Sequence, residues 1–235
     1  MPAVYALWLW TTHLYCEYES RLSPRTARAQ SNSANYIFVV ASGFLCDPGD
    51  SGSCPAVAKS ENGESYEISG AGTFDAQKKS IKAAGTFNRR SANGSVIETG
   101  AWTASDLVSF GSCGIAPTAL MQKGSPFGHL QIVPKHLPLG LRPLPTGGLA
   151  VFRILLISLS GTTKTAMLRV NCALGEVPRE RTVEGIRLTV EGNRTEFSEE
   201  VSGHVIFLST RSEISEPPKP RPMLDTPETN QLPSN

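Results

Sequence analysis

Residues 64–104 contain three copies of one pattern, and that repetition limits the fold more than anything else in the chain. The copies are Ile68-Ser69-Gly70-Ala71-Gly72-Thr73-Phe74, Ile81-Lys82-Ala83-Ala84-Gly85-Thr86-Phe87 and Val96-Ile97-Glu98-Thr99-Gly100-Ala101-Trp102. Each has a β-branched residue first, a glycine fifth and an aromatic seventh. In an extended chain successive side chains point to opposite faces, so these three share one face. Ser69, Ala71 and Thr73 take the opposite face of the first copy, and Lys82, Ala84 and Thr86 that of the second. One dry and one wetter side is the mark of half-buried antiparallel strands.

The connectors agree. Residues 75–80 are short and polar, and residues 88–95 carry Asn93-Gly94. Both members of that pair tolerate positive φ, as a tight hairpin turn requires. The pattern therefore predicts three consecutive antiparallel strands. Ile68, Phe74, Ile81, Phe87, Val96 and Trp102 are expected on the core face. Each large one buried contributes roughly 1.5–3 kcal/mol.

Gly72, Gly85 and Gly100 recur mid-strand on that face. Glycine weakens a strand, so a repeated one marks a bend or a close approach. One glycine per strand suggests a strongly curved sheet. It also leaves open a space for a small ligand, lined by Gly72, Gly85, Glu98, Gly100 and Trp102, with His204 from the end of the chain as a further lining candidate. Glu98 reads either as a residue at the barrel end or as a carboxylate in a pocket.

The chain has 235 residues, enough for one large β domain or two small ones. Forty per cent hydrophobic residues suffice for a core. A balance of 22 basic to 21 acidic residues argues against nucleic acid or an anionic membrane as partner. No stretch of 18 uncharged apolar residues suggests a transmembrane helix.

Residues 1–34 read as a leader. Val4 to Tyr15 is apolar and Ala27-Arg28-Ala29 has small flanking residues, but charges lie between them and no basic residue precedes them. A degraded or wrongly started export signal over residues 1–29 is the expectation. The domain then begins with the apolar run Asn35 to Cys46. Cys46 and Cys54 flank a turn-rich loop and are expected to pair, which implies a secreted, periplasmic or extracellular protein. Within that loop Gly49-Asp50-Ser51-Gly52 resembles the sequence around the nucleophile of trypsin-like proteases. The likeness covers four residues. The required upstream Thr-Ala-Ala-His-Cys motif is missing, so protease chemistry is not carried over. Gly100-Ala101-Trp102 resembles the G-x-W of lipocalins, but it falls on the third strand of the meander and no second lipocalin motif follows.

Residues 106–148 read as a long irregular insertion, rich in proline and glycine. They hold His129 and His136 without a third ligand at a recognised spacing, so no metal or cofactor is expected. Order is expected again at residues 149–159, 164–173, 181–191 and 201–209. Cys172 faces inward on its strand, either free or paired with Cys113. His204 lies on the face of Ile206 and Leu208. Residues 211–235 are proline-rich, nearly devoid of apolar side chains, and read as a disordered tail.

With earlier segments at 36–46, 55–59, 64–74, 80–89 and 95–104, the count is eight or nine strands. The expectation is an all-β chain whose antiparallel meander closes into a small up-and-down β-barrel of about eight strands. A two-sheet β-sandwich is the alternative. The expected function is a secreted or envelope-associated, non-enzymatic barrel that binds a small or apolar ligand. A structural or adhesive surface module is the alternative. An enzyme is the third reading, with Glu98 and His204 as acid and base in the barrel mouth. Sequence gives no interior volume, and that quantity separates the first two.

Overall fold

A computed structural model of the chain describes residues 35–115, 143–174, 183–193 and 195–210. The expected leader, most of the expected insertion and the expected tail lie outside the described residues. Among the described residues there are ten strands: β1 (Asn35–Val40), β2 (Ala56–Ser60), β3 (Ser65–Asp75), β4 (Ser80–Arg90), β5 (Val96–Ile115), β6 (Leu144–Ser158), β7 (Thr163–Cys172), β8 (Gly185–Val190), β9 (Glu196–Ser202) and β10 (Val205–Ser209). A 3-10 turn spans Gly43–Leu45.

From β2 to β9 every strand pairs antiparallel with the next in sequence. β2 also pairs with β9. Eight strands therefore ring round in up-and-down order, and the all-β reading holds. β1 and β10 form a further antiparallel ribbon. It docks β1 on the Gly70–Asp75 half of β3, and Phe207 to Ser209 of β10 on Leu144 to Thr146 at the start of β6. Paired edges leave few free N–H and C=O groups, which is the physical gain of closure.

The meander explains its own repeat. Gly85 lies across from Trp102, and Phe87 across from Gly100. The antiparallel register thus sets the aromatic of one strand over the glycine of its neighbour. Ile68 opposes Phe87 and Phe74 opposes Ile81, so β-branched and aromatic side chains also pair across β3 and β4.

The interior is filled by rings. Phe38 and Phe152 stack at 4.7 Å, Tyr36 and Phe110 meet at 4.5 Å, and Phe74 packs edge-on against Phe207 at 6.0 Å. Nearer the β4–β5 hairpin, Tyr66 meets Phe197 edge-on at 4.7 Å and Phe87 at 5.9 Å. Such contacts add about 0.5–1.5 kcal/mol per pair to the burial itself.

Several expectations change. Val96 is 49% exposed, because it sits beside the hairpin turn where a register shift breaks the alternation. Ile81 is only partly buried. Residues 106–115, expected to open the irregular insertion, continue β5 alongside β6. β5 leaves β4 beyond Thr103, and three register shifts against β6 accompany the bend. Such bulges re-aim a strand. The expected strand 36–46 stops at Val40, where Ala41 takes a φ of 37° before the 3-10 turn. The expected strand 201–209 is two strands separated at Gly203, whose φ is 103°.

Candidate functional site

The sequence points to one group of inward residues and one histidine. The geometry around each decides what it does.

Trp102 is fully buried, and its indole lies over the glycines. A Cβ on Gly70 would sit 2.5 Å from Trp102 Cζ2. One on Gly85 would meet the Ser69 carbonyl oxygen and lie 2.6 Å from Trp102 Nε1. One on Gly100 would meet the Ile157 carbonyl and lie 2.7 Å from Phe87 Cε1. One on Gly72 would meet the Ala83 side chain and lie 2.5 Å from the Lys82 carbonyl. The room that Gly85 and Gly100 leave is occupied by Trp102 and Phe87 of this chain. The indole N–H donates to the Ser69 carbonyl at 3.1 Å, so its one polar atom is satisfied.

Glu98 is nearly buried and fully engaged. Its two oxygens accept from Lys164 Nζ at 2.8 and 3.0 Å. Arg89 Nη1 lies 4.0 Å away, and Arg89 Nη2 donates to Glu64 at 2.7 Å. The chain Glu64–Arg89–Glu98–Lys164 runs from the turn before β3 across β4 and β5 to the start of β7. Beneath it, burial pushes the Tyr66 hydroxyl up to about 12, against the opposing pull of Arg89. That phenol stays neutral at physiological pH and is a poor proton carrier.

His204 stands at the other end, in the link between β9 and β10. Its Nε2 lies 3.2 Å from Asp50 Oδ2 and its Nδ1 3.7 Å from Glu184 Oε1. Glu184 also accepts from the Val205 N–H at 2.9 Å. Backbone bonds hold the link in place: the Gly203 N–H donates to the Gly52 carbonyl and the His204 N–H to the Ser53 carbonyl. His204 is thus a clasp joining the Cys46–Cys54 loop, the approach to β8 and the start of β10. Glu184, then Asp50, raise its pKa above the ordinary 6.5 against partial burial. Asp50 is closer, yet Glu184 acts harder because it is 17% exposed against 51% and is less screened by water.

The consequence has a definite sign. A histidine that binds protons more tightly folded than unfolded contributes its full stability below the unfolded pKa. That contribution fades as pH rises through the folded pKa. Stability should therefore rise on acidification from pH 8 towards 6. In His204→Asn that rise should be visibly smaller, which urea titrations at several pH values would read. Equal slopes in both proteins would rule the clasp out.

Glu98 and His204 lie at opposite ends of the strands, so they are not brought to one reacting atom. Among the described residues no three His, Cys, Asp or Glu side chains gather as a metal site. Nor is any helix there long and apolar enough to cross a membrane. Cys46 and Cys54 are disulfide-bonded. Cys113 is also disulfide-bonded while Cys172 is free, so those two are not paired with each other. Burial pushes the Cys172 thiol up to about 12, and it is inert at neutral pH. An open depression of about 370 Å³ is lined by Glu61, Asn62, Thr195, Glu196 and Ser198. Its walls are polar, unlike those of an apolar-ligand pocket.

The ion partners Arg89 and Lys164 and the clasp partner Glu184 carry no motif in the sequence, and Asp50 stands out there only within the protease-like Gly49-Asp50-Ser51-Gly52. One signal existed for Arg89. A two-residue turn at Asn93-Gly94 would set it directly opposite Glu98; the observed loop spans residues 92–94, closed by the Ser91 N–H donating to the Ser95 carbonyl, and a register shift between Arg89 and Arg90 restores that pairing. Comparison with protein-family models, with curated proteins and with solved structures returns no match.

Proposed function

We propose that this chain is a non-enzymatic structural or adhesive module of an oxidising compartment, acting through its outer surface. The observation that carries this reading is the indole of Trp102 lying over Gly70 and Gly85, within a core of interlocked rings. A ligand inside would have to displace fully buried aromatic side chains, each costing several kcal/mol to unpack. Two further observations support it. The partly buried carboxylate Glu98 is held by Lys164, and the histidine serves as a clasp. The Cys46–Cys54 bond suits secretion or a periplasmic location.

Native mass spectrometry of the purified full chain, compared with its denatured mass, tests the proposal. The two masses should agree apart from adherent solvent and salt, both lying below the mass of the fully reduced chain by the hydrogens lost to disulfides. A defined mass excess that vanishes on denaturation would restore the ligand-carrier reading.

A further inference from the structure

We infer that Asn93 and Asn193 are N-glycosylation sites, so that one end of the strand ring carries two oligosaccharides. The inference rests on the proposal of an oxidising compartment and adds a covalent modification to the module's surface. Asn93-Gly94-Ser95 and Asn193-Arg194-Thr195 are the two places where an asparagine stands two positions before a serine or threonine with no proline between. That tripeptide is the acceptor of oligosaccharyltransferases, and in secreted chains it lies on surface turns. It also arises by chance. What decides is whether the folded chain leaves each side-chain amide accessible and free to be substituted.

Asn93 is exposed in the turn between β4 and β5, together with Ala92, Gly94 and Ser95. Asn193 is half-buried in the turn between β8 and β9, beside the exposed Gly192. A Cβ built on Gly94 or on Gly192 would meet nothing within 4 Å, so both turns stand in open water. Each asparagine uses its side-chain oxygen to accept from the backbone N–H two residues on, Ser95 to Asn93 at 3.1 Å and Thr195 to Asn193 at 3.2 Å. The nitrogen is the other branch of the amide. Neither Asn93 Nδ2 nor Asn193 Nδ2 donates to a partner among the described residues. Substituting it therefore breaks no hydrogen bond of the fold. By contrast, Asn88 Nδ2 donates to Glu67 and Asn171 Nδ2 to the Val183 carbonyl, and neither residue precedes a hydroxyl. Asn62 is an internal control. It is exposed in the turn between β2 and β3 and accepts from the Glu64 N–H at 3.1 Å, but Glu64 stands where the acceptor needs a hydroxyl.

The turns after β2, β4, β6 and β8 join successive antiparallel strands in the same sense, so they share one end of the ring, opposite the Cys46–Cys54 loop. Both sites fall at that end. Apolar side chains are left in water there: Val96 and Ile97 just beyond Asn93, and Leu159 in the turn after β6. A bulky hydrophilic oligosaccharide rooted beside them shields them from other chains. In the transfer, Asn Nδ2 forms a bond to the anomeric carbon of an oligosaccharide carried on a polyisoprenyl pyrophosphate. The bond from that carbon to the pyrophosphate oxygen breaks, the lipid pyrophosphate leaves, and one amide proton passes to a base of the transferase. Nothing is oxidised or reduced.

The test is made on the full chain purified from the cells that produce it. A peptide:N-glycosidase removes the oligosaccharide and converts the acceptor asparagine to aspartate, which peptide mapping reads. Conversion should occur at Asn93 and Asn193 and not at Asn62, with a matching fall in intact mass. A sample without the enzyme corrects for spontaneous deamidation at Asn93-Gly94 and Asn62-Gly63. Ser95→Ala and Thr195→Ala keep the asparagines and should each abolish one conversion. An unmodified asparagine at either position in the natural chain would overturn the inference. Alkylation of the same sample before reduction reads the compartment separately. Bare asparagines with Cys46 and Cys54 still bonded would sink the glycosylation alone. Free thiols at Cys46 and Cys54 would sink the oxidising compartment with it.

Discussion

Replacing Trp102 with alanine should destabilise the domain by about 3–5 kcal/mol, the range for removing a large buried aromatic. For a domain of this size that lowers Tm by between about 6 and 20 °C. The cost falls at the upper end because the indole cannot be replaced by local collapse. The elements around it are backbone: Gly70 and Gly85 have no side chains to move in, and strand spacing fixes how near they can come. Trp102→Phe should cost less, since the ring is kept and the N–H bond to Ser69 is what goes. Gly85→Ala in the intact protein should also destabilise, by about 1–3 kcal/mol or more, because its Cβ meets the Ser69 carbonyl. Removing the indole as well should not relieve that clash, since the Ser69 oxygen belongs to the adjoining strand. Thermal and urea unfolding of the single and double variants measure all of this. A loss below about 1 kcal/mol for Trp102→Ala would mean that the indole lines space instead of filling it. The proposal of a surface module would then lose its main support.

The repeat that made the meander legible also misled about its purpose. Alternation identified the inward residues of β3 and β4, because a one-residue slip would turn every core side chain to water. The same period of two is legible at Ala166, Leu168, Val170 and Cys172 on β7 and at Ile186, Leu188 and Val190 on β8, all of which are buried. The glycines of the repeat admit two readings in sequence, a vacancy or a seat for a neighbour's ring. Only the register separates them, by setting Trp102 opposite Gly85. β9 escaped notice because Phe197 is its one buried side chain among glutamates and serines. Its place comes from pairing with β2 and β8 and not from its own pattern. The extension of β5 past Thr103 was hidden for a related reason. Its register shifts against β6 interrupt the period of two, and Gly111 and Gly114 read as loop. His204 was visible as a residue but not as a clasp, since Asp50 lies 154 positions away in sequence. Tertiary partners at such separations leave no mark in local periodicity.

Replacing Cys46 and Cys54 together with alanine should cost about 2.5 kcal/mol, from the chain entropy released by opening a loop of sequence separation 8. The loss should exceed that figure at acidic pH, because the loop does more than close on itself. Ser53 Oγ donates to the Asp50 carbonyl at 2.7 Å and accepts from the Asp47 N–H at 3.0 Å, which shapes the loop from within. The carbonyls of Gly52 and Ser53 then hold the link before β10, and Asp50 faces His204. If opening the loop draws Asp50 away, His204 loses one of the carboxylates that raise its pKa, which then moves back towards the ordinary value. The disulfide and the clasp are therefore one unit. A double-mutant cycle between Cys46→Ala/Cys54→Ala and His204→Asn should be non-additive near pH 6 and close to additive near pH 8, where the imidazole is less often charged. Additivity at both pH values would show that the backbone bonds alone keep the loop docked. The cost of the disulfide variant would then be chain entropy and nothing else.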